Sequence, residues 1–150
     1  MWNVVMDGTD NPATRYLIND VCVAFGKPLV SGSALQWEGQ ITILNHLSSP
    51  CYRCLYPQPP PAIAVTNCSD GGVLGMVPGI IGQLQALEIV KIVLGQPKEN
   101  LLWCRMLFVD TLSMKFRNVK IRGRNEASCA GCGPVEKRVD YKTFDYANFC

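Results

Sequence analysis

Apolar residues in the first third of the chain come in short runs broken by turn residues. The run WNVVM (2–6) breaks into DGTDNP, as a buried strand does where it ends in a turn. Asp10 or Asn11 stands where a helix cap belongs, and Pro12 suits the first helical position. The helix that follows, PATRYLINDVCVAF (12–25), places Tyr16, Leu17, Val21 and Ala24 on one face and stops at Gly26. KPLVSGSAL (27–35) and QITILNH (40–46) read as strands, with Trp37, Glu38 and Gly39 in the turn region between them. Strand, helix, strand in that order predicts a right-handed crossover and a parallel pair, and so one half of an α/β sheet.

The middle of the chain, from Leu47 to Gly72, is a long connection with prolines at 57, 59, 60 and 61. Connections of this length inside a compact domain are functional or held by something. A helix over about 77–94 follows, with Pro78 near its start and Gly95 past its end. Gly75, Gly79 and Gly82 are small enough to predict close packing on a sheet. The run 73–95 also has the length of a membrane span, but Gln83, Gln85, Glu88 and Lys91 interrupt it, which favours a buried helix of a soluble domain. Two strands, LLWCRMLFVD (101–110) and SMKFRNVKIRG (113–123), are expected as an antiparallel pair. The tail from Asn125 is aromatic and polar.

Composition fits one globular domain, with 48% hydrophobic and 17% charged residues, enough to exclude disorder. A formal charge of +2 is too small to draw in nucleic acid or a membrane surface by itself. Eight cysteines make the redox compartment matter. The opening MWNVVMDGTD has no basic flank before a long apolar run, so no secretory signal is expected. A cytosolic setting follows as the expectation, and there CxxC pairs serve metals or redox chemistry more often than disulfides.

Two such pairs of equal spacing are present, Cys51-Tyr52-Arg53-Cys54 and Cys129-Ala130-Gly131-Cys132. Four thiolates complete a tetrahedral structural zinc site, and two intervening residues let both sulfurs of a pair face one ion. A redox pair is the alternative, but neither motif opens a helix just after a strand. The expected zinc clips the tail to the central loop and stabilises the fold. Cys68, in TNCSDGG, is left over: a buried loop cysteine, a spare ligand, or an exposed thiol near helix amides. Cys22 and Cys104 read as core thiols. Asp7, Asp10 and Asn11 sit where a strand ends and a helix begins, either as a turn and cap or as ligands for Mg²⁺ beside phosphates. No GxGxxG or GxxxxGK[ST] opens a helix in these residues, and His46 is the only histidine. Lys115, Arg117, Lys120, Arg122 and Arg124 form a basic row, read as a solvated sheet edge or as a docking face for an acidic partner.

The ordered strings DGTDNPATRYLINDVCVAFGKPLVSGSALQWEGQ, CYRCLYPQPPP, TNCSDGGVLGMVPGIIGQLQALEIVKIVLG and CAGC together resemble the MoeB/ThiF family of ubiquitin-activating-enzyme-like adenylyltransferases. The likeness runs over about 4–149 and is nearest to the eukaryotic branch that adenylates and sulfurates for molybdopterin synthase. The resemblance implies the second half of a Rossmann-like fold with a mixed sheet, a zinc-clipped loop and a zinc-clipped tail. It implies MgATP-dependent activation of the C-terminal Gly-Gly of a ubiquitin-like sulfur carrier, for molybdopterin synthesis and tRNA wobble-uridine thiolation. Asp10 and Asn11 match the family's ATP-contacting pair, with Asp10 toward Mg²⁺ or phosphate, and Cys51, Cys54, Cys129 and Cys132 match its zinc ligands. Cys68 matches the thiol that takes the carrier as a thioester or resolves an acyl-disulfide. Homodimers are implied for the complete enzyme. The family's glycine-rich nucleotide loop and its rhodanese-like domain have no counterpart in these residues, so the chain is expected to be a truncated form without activity of its own. Beside the enzyme stands a second reading, a zinc-stabilised module that docks a ubiquitin-like protein or a full-length homologue without chemistry.

Overall fold

A computed structural model describes residues 3–60 and 72–150. Five strands form one mixed sheet in sequence order: β1 (Val5–Asp7), β2 (Leu29–Leu35), β3 (Glu38–Leu44), β4 (Arg105–Asp110) and β5 (Lys115–Lys120). Helix α1 (Pro12–Ala24) joins β1 to β2, which run parallel in the register Val5 to Leu29, as the order of elements predicts. The other neighbours are antiparallel. Asn11 caps α1, its side-chain oxygen accepting from Thr14 N at 2.9 Å, and Pro12 opens the helix. The first strand lies later than the apolar run suggests, because Asp7 belongs to it. Glu38 and Gly39 belong to β3 rather than to the turn, which narrows to Gln36 and Trp37, with Gln36 at a φ of 52°.

One sheet face packs on α3 (Met76–Val93), where Val30, Ile41, Ile43 and Val109 meet Val77 and Ile81. The glycines that allow the close approach are those of the sheet. A Cβ on Gly32 would come within 2.5 Å of the Gln85 side chain and one on Gly39 within 2.3 Å of Ile81, whereas Gly75, Gly79 and Gly82 have no such neighbour within 4 Å. The helix also inverts the expected polarity. Gln85 and Glu88 are buried, while Leu87, Val90 and Val93 are exposed, so α3 covers the sheet with one face and is not buried all round. Gln85 Nε2 donates to the carbonyls of Asp7 (2.8 Å) and Val30 (3.0 Å) at the end of the parallel pair, and Glu88 accepts from Leu102 N at 2.9 Å. Buried amide groups left unpaired would cost more than burying these side chains does.

The opposite face carries α1 at its β1 end, where Leu29 and Leu44 pack with Cys22. The buried face of α1 is Tyr16, Asn19, Asp20 and Cys22, while Leu17 and Ala24 are exposed, so its inner side is largely polar. β5 is exposed along all its positions, with Lys115, Arg117 and Lys120 at the sheet edge. Cys104 lies half-buried in the turn before β4 at a φ of 51°, not in a strand.

Candidate functional site

The two CxxC motifs meet. Cys51 caps the one-turn helix α2 (Tyr52–Leu55), and Cys129 and Cys132 bracket a turn in the tail. Their four sulfurs are buried and all lie within 4.8 Å of one another. Cys51 to Cys54, Cys51 to Cys129 and Cys54 to Cys132 are 3.8, 3.6 and 3.4 Å apart. Tetrahedral thiolates at the usual zinc–sulfur distance of about 2.3 Å sit roughly 3.8 Å from each other, so the spacing fits. Backbone amides of Asn125 (3.3 Å) and Gly131 (3.4 Å) donate to Cys54 and Cys129. Gly133 is needed, since a Cβ there would lie 2.5 Å from the Cys129 carbonyl oxygen. Hydrogen bonds from Cys132, Cys51 and Cys54 hold the Cys129 thiol far below its usual range. Cys51 and Cys132 are pushed well above theirs, first by Cys129. Thiols crowded so closely share protons that a metal ion displaces. Four thiols in this arrangement can hold an ion such as zinc.

The tail is also held without the sulfurs. Arg53, inside the first CxxC, donates from Nε (2.9 and 3.2 Å) and Nη2 (2.8 Å) to the Asp20 carboxylate, with both side chains 2% exposed. Asn19 Nδ2 and Tyr146 OH complete the Asp20 shell at 2.9 and 2.8 Å, and Asn19 Oδ1 accepts from Tyr52 N at 2.7 Å. The guanidinium lies 4.9–5.0 Å from the ring centres of Tyr16, Phe144 and Phe149. Phe149 belongs to α4 (Tyr146–Phe149). The polar face of α1 is therefore the seat of the knuckle and the tail.

A cavity of about 730 Å³ opens at the carboxyl ends of β1 and β2, where open α/β sheets bind ligands. Gly8, Asp10, Arg15, Ser33, Pro78 and Gly82 are among its lining residues. It sits against the first turns of α1 and α3, whose dipoles point their positive ends toward it. Asp10 is exposed to it. Asn11 spends its side-chain oxygen on the cap and is not in the wall. Asp7 is buried behind it, accepting from Thr9 N (2.9 Å), Thr9 Oγ1 (2.7 Å) and Ser31 Oγ (3.1 Å). A narrow slot adjoins at Arg15, Ser33, Gln40 and Tyr52 and passes between α2 and the β2–β3 face. Cys68 falls outside the described residues, and so does its distance from this cavity.

Residue patterns alone pass over Arg15, Asp20, Arg53 and Gln85. A cation in the first turn of α1, where the helix dipole disfavours it, is the one local oddity that marks Arg15.

Residues 1–131 match the ThiF family model. Among curated relatives, the adenylyltransferase and sulfurtransferase MOCS3 of Dictyostelium discoideum is 54% identical over 149 residues, covering 99% of this chain and 34% of that protein. Its Arabidopsis thaliana counterpart is 51% identical over 152 residues, covering 99% and 32%. The chain thus spans about a third of the length of the curated relatives it matches. Among solved structures, Escherichia coli MccB with MccA-N7isoAsn superposes with a TM-score of 0.67 at 15% identity, covering 87% of this chain and 41% of that one. A heterocyclase in complex with substrate and cofactor gives 0.63 at 14% identity, covering 87% and 20%. These structures share the fold, and by the match over its sheet, helices and first knuckle the chain belongs to the ThiF family.

Proposed function

We propose that this chain forms the carrier-receiving, metal-clipped part of a ThiF-type adenylyltransferase that activates the C-terminal glycine of a ubiquitin-like sulfur carrier. The observation that supports it is the cavity at the carboxyl ends of β1 and β2, with Asp10 in its wall and two helix N-termini against it. In this reading Asp10 meets the Mg²⁺ or phosphates of ATP, and Asn11 fixes the loop that carries Asp10 by capping α1. The carrier carboxylate attacks the α-phosphorus, pyrophosphate leaves, and an acyl-adenylate forms. Cys68, as thiolate, then attacks the acyl carbon; AMP leaves and a thioester remains. Zinc on Cys51, Cys54, Cys129 and Cys132 is structural and takes no part in either step. A persulfide donor R–S–SH, supplied outside these residues, then displaces the Cys68 thiolate to give an acyl disulfide, and a second thiol R′–SH reduces it to the thiocarboxylate and R–S–S–R′. That thiocarboxylate serves molybdopterin synthesis and wobble-uridine thiolation, and the complete enzyme works as a homodimer. These residues carry no glycine-rich phosphate loop, so the isolated chain should give no carrier-dependent ATP–pyrophosphate exchange.

The experiment presents the zinc-loaded chain with carrier already activated as its acyl-adenylate. A thiol-sensitive conjugate that disappears in Cys68→Ala supports the reading. Carrier binding without any conjugate, unchanged in Cys68→Ala, supports the alternative of a non-catalytic module that docks a ubiquitin-like protein or a homologue.

A further inference from the structure

Seven of the chain's 14 basic residues lie in 98–124 beside two of its 12 acidic ones, so this stretch is strongly positive although the whole chain carries only +2. Three of these cations, Lys98, Arg105 and Lys120, converge on a cavity of about 530 Å³ completed by Glu99, Trp103, Cys104 and Asn118. It shares no lining residue with the cavity at the carboxyl ends of β1 and β2. Arg105 opens β4 while Asp110 closes it at that other cavity's end of the sheet, which separates the two by about 17 Å along the strand.

Nothing in the described residues answers these charges. Arg105 and Lys120 are direct register partners on β4 and β5, a pairing that costs stability when no anion lies between them. The ion pairs of the described residues join Arg53 to Asp20, Lys91 to Glu88 and Arg124 to Glu126, and none reaches the three cations of this cavity. The floor beneath them is fixed. Trp103 Nε1 donates to the Leu47 carbonyl at 3.1 Å, the Cys104 carbonyl accepts from Ile121 N at 3.0 Å, and the Arg105 carbonyl accepts from Thr42 Oγ1 at 2.8 Å. Lys98 Nζ stands over the Trp103 ring, 4.4 Å from its centre, which keeps that lysine at the wall.

Charge and size set the ligand's chemistry. Three cations against one carboxylate leave two positive charges, the match of a phosphate monoester dianion. Its oxygens suit both the planar Arg105 fork and the point charges of the lysines, whereas a lone carboxylate would leave one charge unmet. The volume falls within the range of small-molecule sites, about 300–1,000 Å³, and leaves room beside Trp103 and Asn118 for the group that the phosphate esterifies. Alternation along β5 turns Lys115 and Arg117 to the other face of the sheet, so the basic row is no continuous track for a polyanion.

We propose that this cavity binds a small-molecule phosphate monoester, with Arg105 as the fork and Lys98 and Lys120 as flanking charges. The site is independent of the carrier-activation reading.

Isothermal titration of the zinc-loaded chain with ribose 5-phosphate tests it, with ribose, inorganic phosphate and a phosphoserine peptide as comparisons. Ribose 5-phosphate should bind one to one and more tightly than any of the three. Arg105→Gln should weaken it by roughly tenfold or more, the worth of charge-assisted hydrogen bonds, and Lys120→Gln severalfold. Lys115→Gln, an equal loss of charge on the other face, should leave the affinity unchanged. Both cavity variants replace exposed side chains and relieve the opposed pair, so each should keep or raise the thermal midpoint. The Trp103 indole N–H resonance, identified by its loss in Trp103→Phe, should move as the site fills. Absence of saturable binding, full affinity in Arg105→Gln, or an equal loss in Lys115→Gln overturns the site. Inorganic phosphate or the phosphopeptide binding as tightly as ribose 5-phosphate overturns the small-molecule monoester. Should Arg105→Gln fail to fold, Lys120→Gln decides, and undiminished affinity there overturns the site.

Discussion

Replacing Arg53 by Met should destabilise the chain more than any exposed substitution, and the structure sets the size. The side chain sits 2% exposed between Asp20 and three aromatic rings, so its loss leaves a buried carboxylate without its cation. Breaking one side of a buried pair costs about 3–5 kcal/mol. Asn19 and Tyr146 still donate to Asp20, which moves the value toward the lower end, and lost cation–π contacts at about 0.5–1 kcal/mol each move it back. A net loss of about 4 kcal/mol corresponds to a midpoint drop on the order of 10 °C for a domain of this size. Urea unfolding at fixed free zinc gives the number, because metal binding to the native state otherwise enters by mass action. Limited proteolysis at 140–150 reports whether the tail is released. The double variant Arg53→Met/Asp20→Leu should recover part of the loss, since no unpaired charge stays buried. A loss under about 1 kcal/mol, or a tail as protected as in the wild type, refutes the view that this pair holds knuckle and tail together.

Stripping the metal with a chelator should lower the thermal midpoint by on the order of 10 °C and expose the tail to protease; an unchanged midpoint sinks the structural-metal reading. Gly133→Ala forces its Cβ against the Cys129 backbone, and should speed metal loss to a colorimetric chelator while costing about 1–3 kcal/mol. Wild-type kinetics of metal release would contradict that geometry. Burial, with the Asp7 charge adding to it, raises the Cys22 thiol from 9.0 to about 11. A folded-state value above the unfolded one contributes stability that is full below pH 9.0 and fades as pH rises through about 11. Stability of Cys22→Ala followed across this window should fall less steeply than that of the wild type, and an identical slope counts against the burial argument.

Much of the four-cysteine site is legible in the sequence, because CxxC spacing carries local geometry that survives any tertiary context. The parallel β1–β2 pair is legible for a similar reason, since handedness constrains the crossover. What fails is polarity on helices. Leu17 and Ala24 look like the inner face of α1, yet Asn19 and Asp20 take it, because their partners Tyr52, Arg53 and Tyr146 arrive from distant parts of the chain. Gln85 and Glu88 look like breaks in an apolar run and turn out to be its buried side, since strand ends and a turn offer them unpaired backbone groups. Hydrophobic periodicity sees apolar burial and is blind to a polar side chain that completes someone else's hydrogen bonds.

The central claim is that a carrier's C-terminal Gly-Gly enters the cavity between α1 and α3. Isothermal titration of the zinc-loaded chain with a ubiquitin-like sulfur carrier, intact and lacking its last two glycines, tests this most directly. The account predicts at least a roughly tenfold weaker affinity for the shortened carrier. Gly82→Phe, whose Cβ position has no neighbour within 4 Å and lies in the cavity wall, should weaken the intact carrier similarly without lowering the thermal midpoint. Equal affinity for intact and shortened carrier would contradict the account.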